Sequence, residues 1–536
     1  MIRVVLDTNV VVSAVLSTLG PPLEIIELAN QNLIQLCVSA VTFEEYREVL
    51  GRPQFARLKG LADLQLLELS SLCRFVIPRK RVRASTDKDD DVFLECAEAA
   101  KAYFLVTATF ATSPTAGSTA RLLRRGGELN ADKLEKAGWA IIFGPSVSKK
   151  IRDNLSPLIE LRRKQVGDPA RFKDNLDAPA AKQSASDWLL ANGTSLNVVD
   201  PLKGVPYYVM IVASPAEIPF EFQYELDLYW AVGRLWLENE DAYANYAESV
   251  VEYENPGHKV STAKKMVLFA PDYAGQDNGA GKLLCDKLVK PMLAAGLGAD
   301  SQFKTIAYMG ADATKEKLGT LFSGADPGGP PALLFTGSHG LLKLPTSKEL
   351  ADAQGSIVCE PWTDPPPDTS YYAAWDLPKA PKVHGMVHFL FNCYGLGWPR
   401  NDTYSLDKKV EISPAPMMAR LPQALLGCEG GALAVLGHID RAWSWSYTAD
   451  GETPQDQSFR DVLTKIMSGY RLGSATDQFN LRWATLAIPL KDTLKKMQTR
   501  RGLEQEAATL WMACDDARNY ILHGDPAVKL RIEDMS

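Results

Sequence analysis

The amino-acid sequence predicts an α/β fold with more than one domain. Short apolar runs bounded by turn residues alternate with helical stretches along the 536 residues, and this alternation is typical of parallel sheets covered by helices. The length corresponds to about three or four domains of average size. Residues 108–127 are rich in Ala, Thr, Ser and Gly and show no apolar period, so we expect a linker after an N-terminal module.

The N-terminal module is predicted to span residues 1–107. Its apolar strands are expected at residues 2–6, 33–38 and 103–107, with helices between them. The linker is expected to cover residues 108–135.

The rest of the chain is predicted to form an α/β subdomain over residues 136–262 and a larger domain over residues 263–536. Its strands are expected at the apolar runs 139–143, 207–212, 266–269, 305–309, 332–336, 387–391 and 432–436. In sheets of this kind, reactive groups lie at the carboxyl ends of the strands.

Composition and charge exclude several classes of protein. Hydrophobic residues make up 46% and charged residues 23% of the chain, which is typical of a globular protein and not of collagen, a coiled coil or a disordered chain. A net charge of −7 gives no overall positive field for nucleic acid or anionic lipid, so any nucleic-acid contact would be local.

Cysteine usage and hydropathy indicate a cytoplasmic protein without a membrane partner. The eight cysteines include no Cys-x-x-Cys pair, which argues against a disulfide scaffold or a zinc ribbon. Asp7 and Asn9 would interrupt the apolar region of a signal peptide. No run approaches the roughly 18 apolar residues of a membrane span.

Three acidic residues of the N-terminal module form the first candidate site. Asp7 ends the first strand, Glu45 lies on a helix, and Asp90 begins the helix that follows a run of aspartates. If the three converge, their oxygens suit Mg²⁺ or Mn²⁺, which activate water and neutralise a phosphodiester transition state. The alternative for Asp90 is a purely structural role, because acids favour helix N-termini.

The same segment resembles the PIN-domain ribonucleases. The matching motifs are Val4 to Val10, Ser39 to Phe55, Asp87 to Ala97 and Phe104 to Thr107. The resemblance implies that Asp7, Glu45 and Asp90 are metal ligands, with Asp91 as the substitute for Asp90. The sequence departs from the family after Thr107, where a fourth acidic position falls on Thr109 or is missing. A further short edge strand is also expected to be missing.

A histidine and a cysteine at strand ends form the second candidate site. The apolar run 331–336 leads into His339, and the run 387–391 leads into Cys393. If the two strands are neighbours, imidazole and thiol lie near one another, and such a base raises the reactive thiolate fraction. Gly340 lets the backbone approach a carbonyl closely and donate its N–H to an oxyanion. The alternative is structural, because a buried cysteine is usually a small hydrophobe.

These motifs resemble the caspase-like cysteine peptidases, the clan that includes gingipains and CHAT-domain proteins. The resemblance spans roughly residues 136–532 and is strongest over 331–440. It implies a caspase-like α/β/α sandwich, with a preceding α/β subdomain, after a PIN-like α/β/α module. It also implies that His339 is the general base or acid, Cys393 the nucleophile and Gly340 the oxyanion donor.

Substrate selection is harder to derive from the sequence. In the caspase-like family, loops after the core strands build the substrate pocket, which makes Glu429, Asp440 and Arg441 the candidate charged lining residues. An acidic lining favours a basic substrate side chain. Asp440 and Arg441 could equally form a local ion pair.

The function expected from the sequence is cysteine endopeptidase activity on a protein substrate, without a cofactor. An active PIN-like module would bind RNA as its partner and would use Mg²⁺ or Mn²⁺ as its cofactor. By analogy of fold, such a fusion is typical of a bacterial stress or defence effector of the toxin–antitoxin kind. One alternative is a metal-dependent PIN ribonuclease with an inactive caspase-like regulatory region, and another is a non-enzymatic scaffold. The oligomeric state is left open.

Overall fold

The structure is a computed structural model that divides the chain into two compact units, residues 1–128 and 129–536. It describes residues 2–8, 10–12, 25–26, 28–29, 34–50, 66, 69, 72–82, 91–102, 104–106, 122–124, 129–194, 199–299, 301–405, 409–448, 453–497 and 500–535. Among the helices within these ranges, none combines the length and the apolarity that a bilayer crossing requires.

The first unit contains a five-stranded sheet in the order β3-β2-β1-β4-β5. Its strands are β1 (Ile2–Leu6), β2 (Ile34–Val38), β3 (Arg74–Phe75), β4 (Phe104–Val106) and β5 (Leu122–Arg124). Helices α1 (Ala40–Leu50) and α2 (Asp91–Ala100) pack their apolar sides into the same core as β1 and β2. Strand β1 is parallel to β2 and β4, as the alternation of strands and helices predicts.

Strand β5 corrects the expectation that this unit lacks an edge strand. It pairs antiparallel with β4, with Leu123 opposite Leu105, although it lies within the predicted linker 108–135. A three-residue strand is too short to produce an apolar period in a segment dominated by small and polar residues, so the sequence pattern did not show it.

The second unit contains a ten-stranded sheet in the order β11-β10-β12-β15-β18-β19-β9-β8-β6-β7. The strands of this sheet are β6 (Trp139–Phe143), β7 (Phe172–Leu176), β8 (Tyr208–Val212), β9 (Ala231–Arg234), β10 (Ala263–Ala270), β11 (Lys304–Met309), β12 (Pro331–Gly337), β15 (Val387–Phe391), β18 (Ala434–His438) and β19 (Tyr520–Gly524). Neighbouring strands are parallel except for β18 and β19. The α/β prediction is therefore confirmed.

Short strands and helices complete this unit. Two antiparallel pairs join β13 (Ile357–Val358) to β14 (Tyr371–Tyr372) and β16 (Gly397–Trp398) to β17 (Met417–Met418). The helices are α3 (Leu134–Ala137), α4 (Lys149–Val166), α5 (Ala185–Ala191), α6 (Phe220–Asp227), α7 (Glu240–Glu254), α8 (Ala280–Leu284), α9 (Lys290–Ala294), α10 (Lys315–Ser323), α11 (Leu350–Ala353), α12 (Arg420–Gly427), α13 (Gln457–Met467), α14 (Leu472–Ala475), α15 (Asp477–Met497) and α16 (Glu504–Arg518).

Sequence signals at the helix ends explain where the longer helices begin and end. Helix α4 begins after Ser148, whose side chain accepts the N–H of Ile151, and it ends before Gly167, which adopts a left-handed conformation. Helix α10 shows the same arrangement, with Thr314 as the cap and Gly324 at the end. Hydroxyl caps satisfy N–H groups that the first turn leaves free, and glycine takes a positive φ without a Cβ clash.

Strand β19 joins two halves of the large sheet. Strands β6 to β9 come from the predicted subdomain and β10 to β18 from the predicted larger domain, and β19 lies between β18 and β9. Just after it, the buried Asp525 accepts hydrogen bonds from Trp139 Nε1 at 3.0 Å and from Arg162 Nε at 2.6 Å. The two predicted segments therefore share one sheet. The buried ion pair between Arg162 and Asp525 connects them.

Candidate active site

Two neighbouring parallel strands place His339 and Cys393 at the same edge of the sheet. Strand β12 pairs with β15 in a register that sets Gly337 opposite Phe391, and His339 and Cys393 each follow two residues later. The Ser338 N–H donates to the Phe391 carbonyl at 3.1 Å, which continues the pairing beyond the strands. Both side chains line one cavity of about 290 Å³.

Gly340 lies directly against the backbone of Cys393. A Cβ atom placed on Gly340 would lie 1.8 Å from the Cys393 carbonyl oxygen and 3.1 Å from its nitrogen. No side chain fits in that space, so glycine is the residue that lets the two loops approach. Gly340 also bridges to Ile357 of the β13 segment, which fixes the loop from its other side.

Asp277 is a residue of this candidate site that the sequence reasoning missed. Its Oδ2 atom lies 2.8 Å from Nε2 of His339, and its side chain is 1% exposed. The N–H groups of Gly279 and Gly281 donate to its two oxygens at 3.1 and 2.6 Å. The signal available in the sequence was an aspartate in a glycine-containing loop after β10, which is the other sheet neighbour of β12.

Aromatic rings fix the plane of the His339 imidazole. The ring of Tyr273 stacks on it at a centroid distance of 5.2 Å, and Trp362 lies 5.2 Å away at an interplanar angle of 44°. The Tyr273 hydroxyl accepts the His339 backbone N–H at 3.0 Å and donates to the Val358 carbonyl at 2.9 Å. A carboxylate at Nε2 favours the tautomer protonated there, which leaves Nδ1 as the basic nitrogen.

The Cys393 thiol is less acidic than an ordinary cysteine. Its Sγ lies 3.6 Å from the carbonyl oxygen of Ala442. Burial raises the pKa of this thiol, and the nearby Asp440 carboxylate raises it further. A nucleophile in this state needs a base to remove its proton as it reacts.

The residue after Cys393 holds a strained backbone. Tyr394 has a φ of +60°, and its N–H donates to the Asp440 carbonyl at 2.6 Å. Its hydroxyl accepts from Nε of Arg441 at 3.3 Å. Bulky residues adopt a left-handed conformation only where their surroundings enforce it, and such residues cluster at functional sites.

The predicted pocket residues Glu429 and Asp440 do not line this cavity. Glu429 precedes β18, and because β18 is parallel to β15, it lies at the opposite edge of the sheet from Cys393. There it borders a separate cavity with Lys379 and Lys382. Asp440 follows β18 on the correct edge, but its buried carboxylate accepts from the Thr403 hydroxyl at 2.7 Å. The prediction placed Glu429 wrongly because it treated this residue as part of a loop at the carboxyl end of the strands. Glu429 lies before β18, at the opposite end.

Arg441 is part of the cavity wall and does not pair with the Asp440 carboxylate through its guanidinium. Its side chain forms an ion pair with Asp402, while its backbone N–H donates to Asp440 Oδ1 at 2.8 Å.

In the first unit, the structure describes two of the three predicted metal ligands. Asp7 follows β1 and is 7% exposed, and the adjacent Thr8 hydroxyl donates to Glu45 Oε1 at 2.7 Å. Asp90 lies outside the described residues. Within the described part of the chain, no group of three or more His, Cys, Asp and Glu side chains is arranged to hold a metal ion. The carboxylates of Asp7 and Glu45 have the oxygen chemistry that suits Mg²⁺ or Mn²⁺.

Comparisons with known proteins bear on the two units separately. Residues 3–111 match the family model of the PIN domain. The first unit is similar to PIN domains. The PIN-like module thus extends slightly beyond the predicted boundary at residue 107. No protein of curated function matches the chain.

Three solved structures are similar to the chain at low identity. The Arg-specific cysteine proteinase gingipain R shows 13% identity and a TM-score of 0.44, over 76% of this chain and 80% of that chain. The complex of the pro- and mature domains of RgpB from Porphyromonas gingivalis shows 11% identity and a TM-score of 0.41, over 74% and 80%. A structure described as a protease shows 13% identity and a TM-score of 0.41, over 74% and 78%.

Proposed function

We propose that the second unit is a cysteine peptidase. The observation that carries the proposal is that His339 and Cys393 line one cavity, with Gly340 against the Cys393 backbone and Asp277 bound to His339. Nucleophile, base and a group that orients the base form the arrangement that covalent acyl transfer requires.

The residues act in two steps. Nδ1 of His339 takes the thiol proton as Sγ of Cys393 attacks the substrate carbonyl carbon, and the oxyanion accepts the Gly340 and Cys393 N–H groups. Collapse of the tetrahedral intermediate breaks the C–N bond, and His339 passes its proton to the leaving amine. Water, deprotonated by His339, then hydrolyses the thioester and restores the thiol. Asp277 stabilises the imidazolium in both steps.

The test measures turnover of a fluorogenic peptide library and labelling by a thiol-reactive peptide probe. Cys393→Ala is expected to abolish both. Cys428→Ala is the matched control, because Cys428 is also a partly exposed free thiol but lines the other cavity. Labelling retained in Cys393→Ala and lost in Cys428→Ala would contradict the proposal.

A second activity, metal-dependent ribonuclease, is supported by the first unit. The supporting observations are the PIN-domain match and the Thr8 hydrogen bond that links the Asp7 segment to Glu45. We expect Mn²⁺-dependent cleavage of single-stranded RNA by the Cys393→Ala chain, lost in Asp7→Asn. Glu44→Gln is the control, because Glu44 lies on helix α1 next to Glu45 but forms a surface ion pair with Arg47. Cleavage that resists a chelator, or that Asp7→Asn retains, would contradict this activity.

The cellular role follows only by analogy. A protein substrate, an RNA contact at the PIN-like module and a place among cytoplasmic bacterial stress or defence effectors are proposals that the measured activities would support or remove.

A further inference from the structure

The walls of the cavity beside Cys393 are mostly apolar. Besides Cys393, seven of its lining side chains are hydrophobic: Ala280, Leu283, Leu284, Phe391, Ala442, Trp443 and Tyr447. Phe391 and Tyr447 also pack against each other, with ring centroids 6.0 Å apart. These walls come from helix α8, from strand β15 and from the loop after β18, so three separate elements contribute to one apolar surface.

The carboxylates close to this cavity already have partners. Asp277 binds His339 and two backbone N–H groups. Asp516 accepts the Trp443 N–H at 2.9 Å and the Ser446 hydroxyl at 2.6 Å, and lies 3.3 Å from His438 Nε2. Among the described residues that line the cavity, none is acidic. A basic substrate side chain would therefore lose its hydration without gaining a carboxylate partner, which is costly.

The single cation of the described lining is also engaged. Arg441 is 37% exposed at its side chain and forms an ion pair with Asp402. An acidic substrate side chain would have to compete with Asp402 for the guanidinium.

We propose that this cavity receives an apolar side chain, aromatic or aliphatic, from the substrate residue whose carbonyl Cys393 attacks. The inference rests on the proposed peptidase function and names its substrate class. The attacked carbon must lie within bonding distance of Sγ, and Cys393 itself lines the cavity. The side chain attached one carbon away from that carbonyl therefore enters this cavity. Leu283, Leu284 and Trp443 are the specificity-determining residues. The basic preference expected from Glu429 and Asp440 is replaced by an apolar one.

The test uses a panel of fluorogenic peptides that differ only at the residue before the cleaved bond. Peptides with Phe or Leu at this position are expected to give a kcat/KM at least about tenfold above those with Arg, Lys or Asp. Cleavage that prefers Arg, Lys or Asp would overturn the inference while leaving the peptidase function intact. If no peptide is cleaved and Cys393 is not labelled by any probe, the peptidase function fails and the inference fails with it.

A charge introduced into the wall tests the same assignment from the opposite direction. Leu283→Asp is expected to raise the kcat/KM for the Arg peptide relative to the Phe peptide by about tenfold or more. Leu293→Asp is the matched control, because Leu293 is also partly buried in the next helix but does not line the cavity. If the aspartate variant fails to fold, Leu283→Ala serves instead and is expected to favour Phe over Leu. An unchanged preference in a folded Leu283 variant would overturn the assignment of Leu283.

Discussion

The buried carboxylate of Asp277 binds Nε2 of His339 at 2.8 Å. Two backbone N–H groups donate to the same carboxylate, so it is held in a fixed position. This pair sets both the tautomer and the direction of the imidazole.

Asp277→Asn is expected to lower kcat by about 10² to 10⁴-fold, because an amide neither fixes the tautomer nor stabilises an imidazolium. Binding of substrate is expected to change little. The measurement is kcat and KM over pH 5.5 to 9, with Asp277→Glu as the variant that restores part of the rate. A kcat within threefold of the parent protein would remove Asp277 from the mechanism.

Gly340→Ala is expected to lower kcat/KM by about a hundredfold or more. The added methyl group would meet the Cys393 carbonyl oxygen at 1.8 Å, so the two loops must separate, and displacements of about 1 Å at a reacting centre have effects of this size. The control is Gly319→Ala in helix α10, where an added Cβ meets nothing within 4 Å. That change is expected to stabilise the protein by about 0.5 to 1 kcal/mol and to leave activity unchanged. Full activity in Gly340→Ala would show that the loops need not approach so closely.

The sequence was sufficient for the residues that lie at the ends of core strands. His339, Gly340 and Cys393 follow strongly apolar runs, and parallel pairing brings such positions to one edge. Asp277 could not be found in this way, because it lies seven residues beyond the end of β10, in a loop whose path no local pattern determines. Glu429 was misplaced for a topological reason, since a residue before a parallel strand lies at the opposite edge from one after it.

Alkylation of Cys393 by iodoacetamide is expected to accelerate by about tenfold per pH unit from pH 6.5 to 8.5. Burial raises the pKa of this thiol above its ordinary value, and the thiolate fraction of such a group rises with pH throughout this interval. Mass spectrometry of the peptide that contains Cys393 distinguishes it from the seven other cysteines. A rate that levels off below pH 8 would mean that His339 and Cys393 form an ion pair at rest.

The second unit is expected to lose stability in acid because two of its histidines are buried in the neutral form. Burial lowers the pKa of His388 and His523 to about 3 each. The unfolded chain binds these protons from about pH 6.5 downward, whereas the folded unit does not until about pH 3. The stability is therefore complete above pH 6.5 and falls as the pH drops towards 3, by about 1.4 kcal/mol per pH unit for each histidine.

Tryptophan fluorescence reports the unfolding of the second unit and not of the first, since all 11 tryptophans lie between residues 139 and 511. Denaturant titrations at pH 4.5 to 7 are expected to show a shallower pH slope for His523→Gln than for the parent protein. Equal slopes for the parent protein and His523→Gln would contradict the assignment of a neutral, buried His523.

The position of β19 in the sheet makes the order of synthesis matter. Strands β6 to β9 and β10 to β18 leave the ribosome before Tyr520–Gly524, the segment that pairs with both β18 and β9. Until then, a growing chain holds two half-sheets whose facing edges are unpaired, and open edges of this kind attract other strands. The strand that closes the gap is translated after both members of the candidate dyad, so the ten-stranded sheet that carries the dyad is completed only once residues 520–524 have been made.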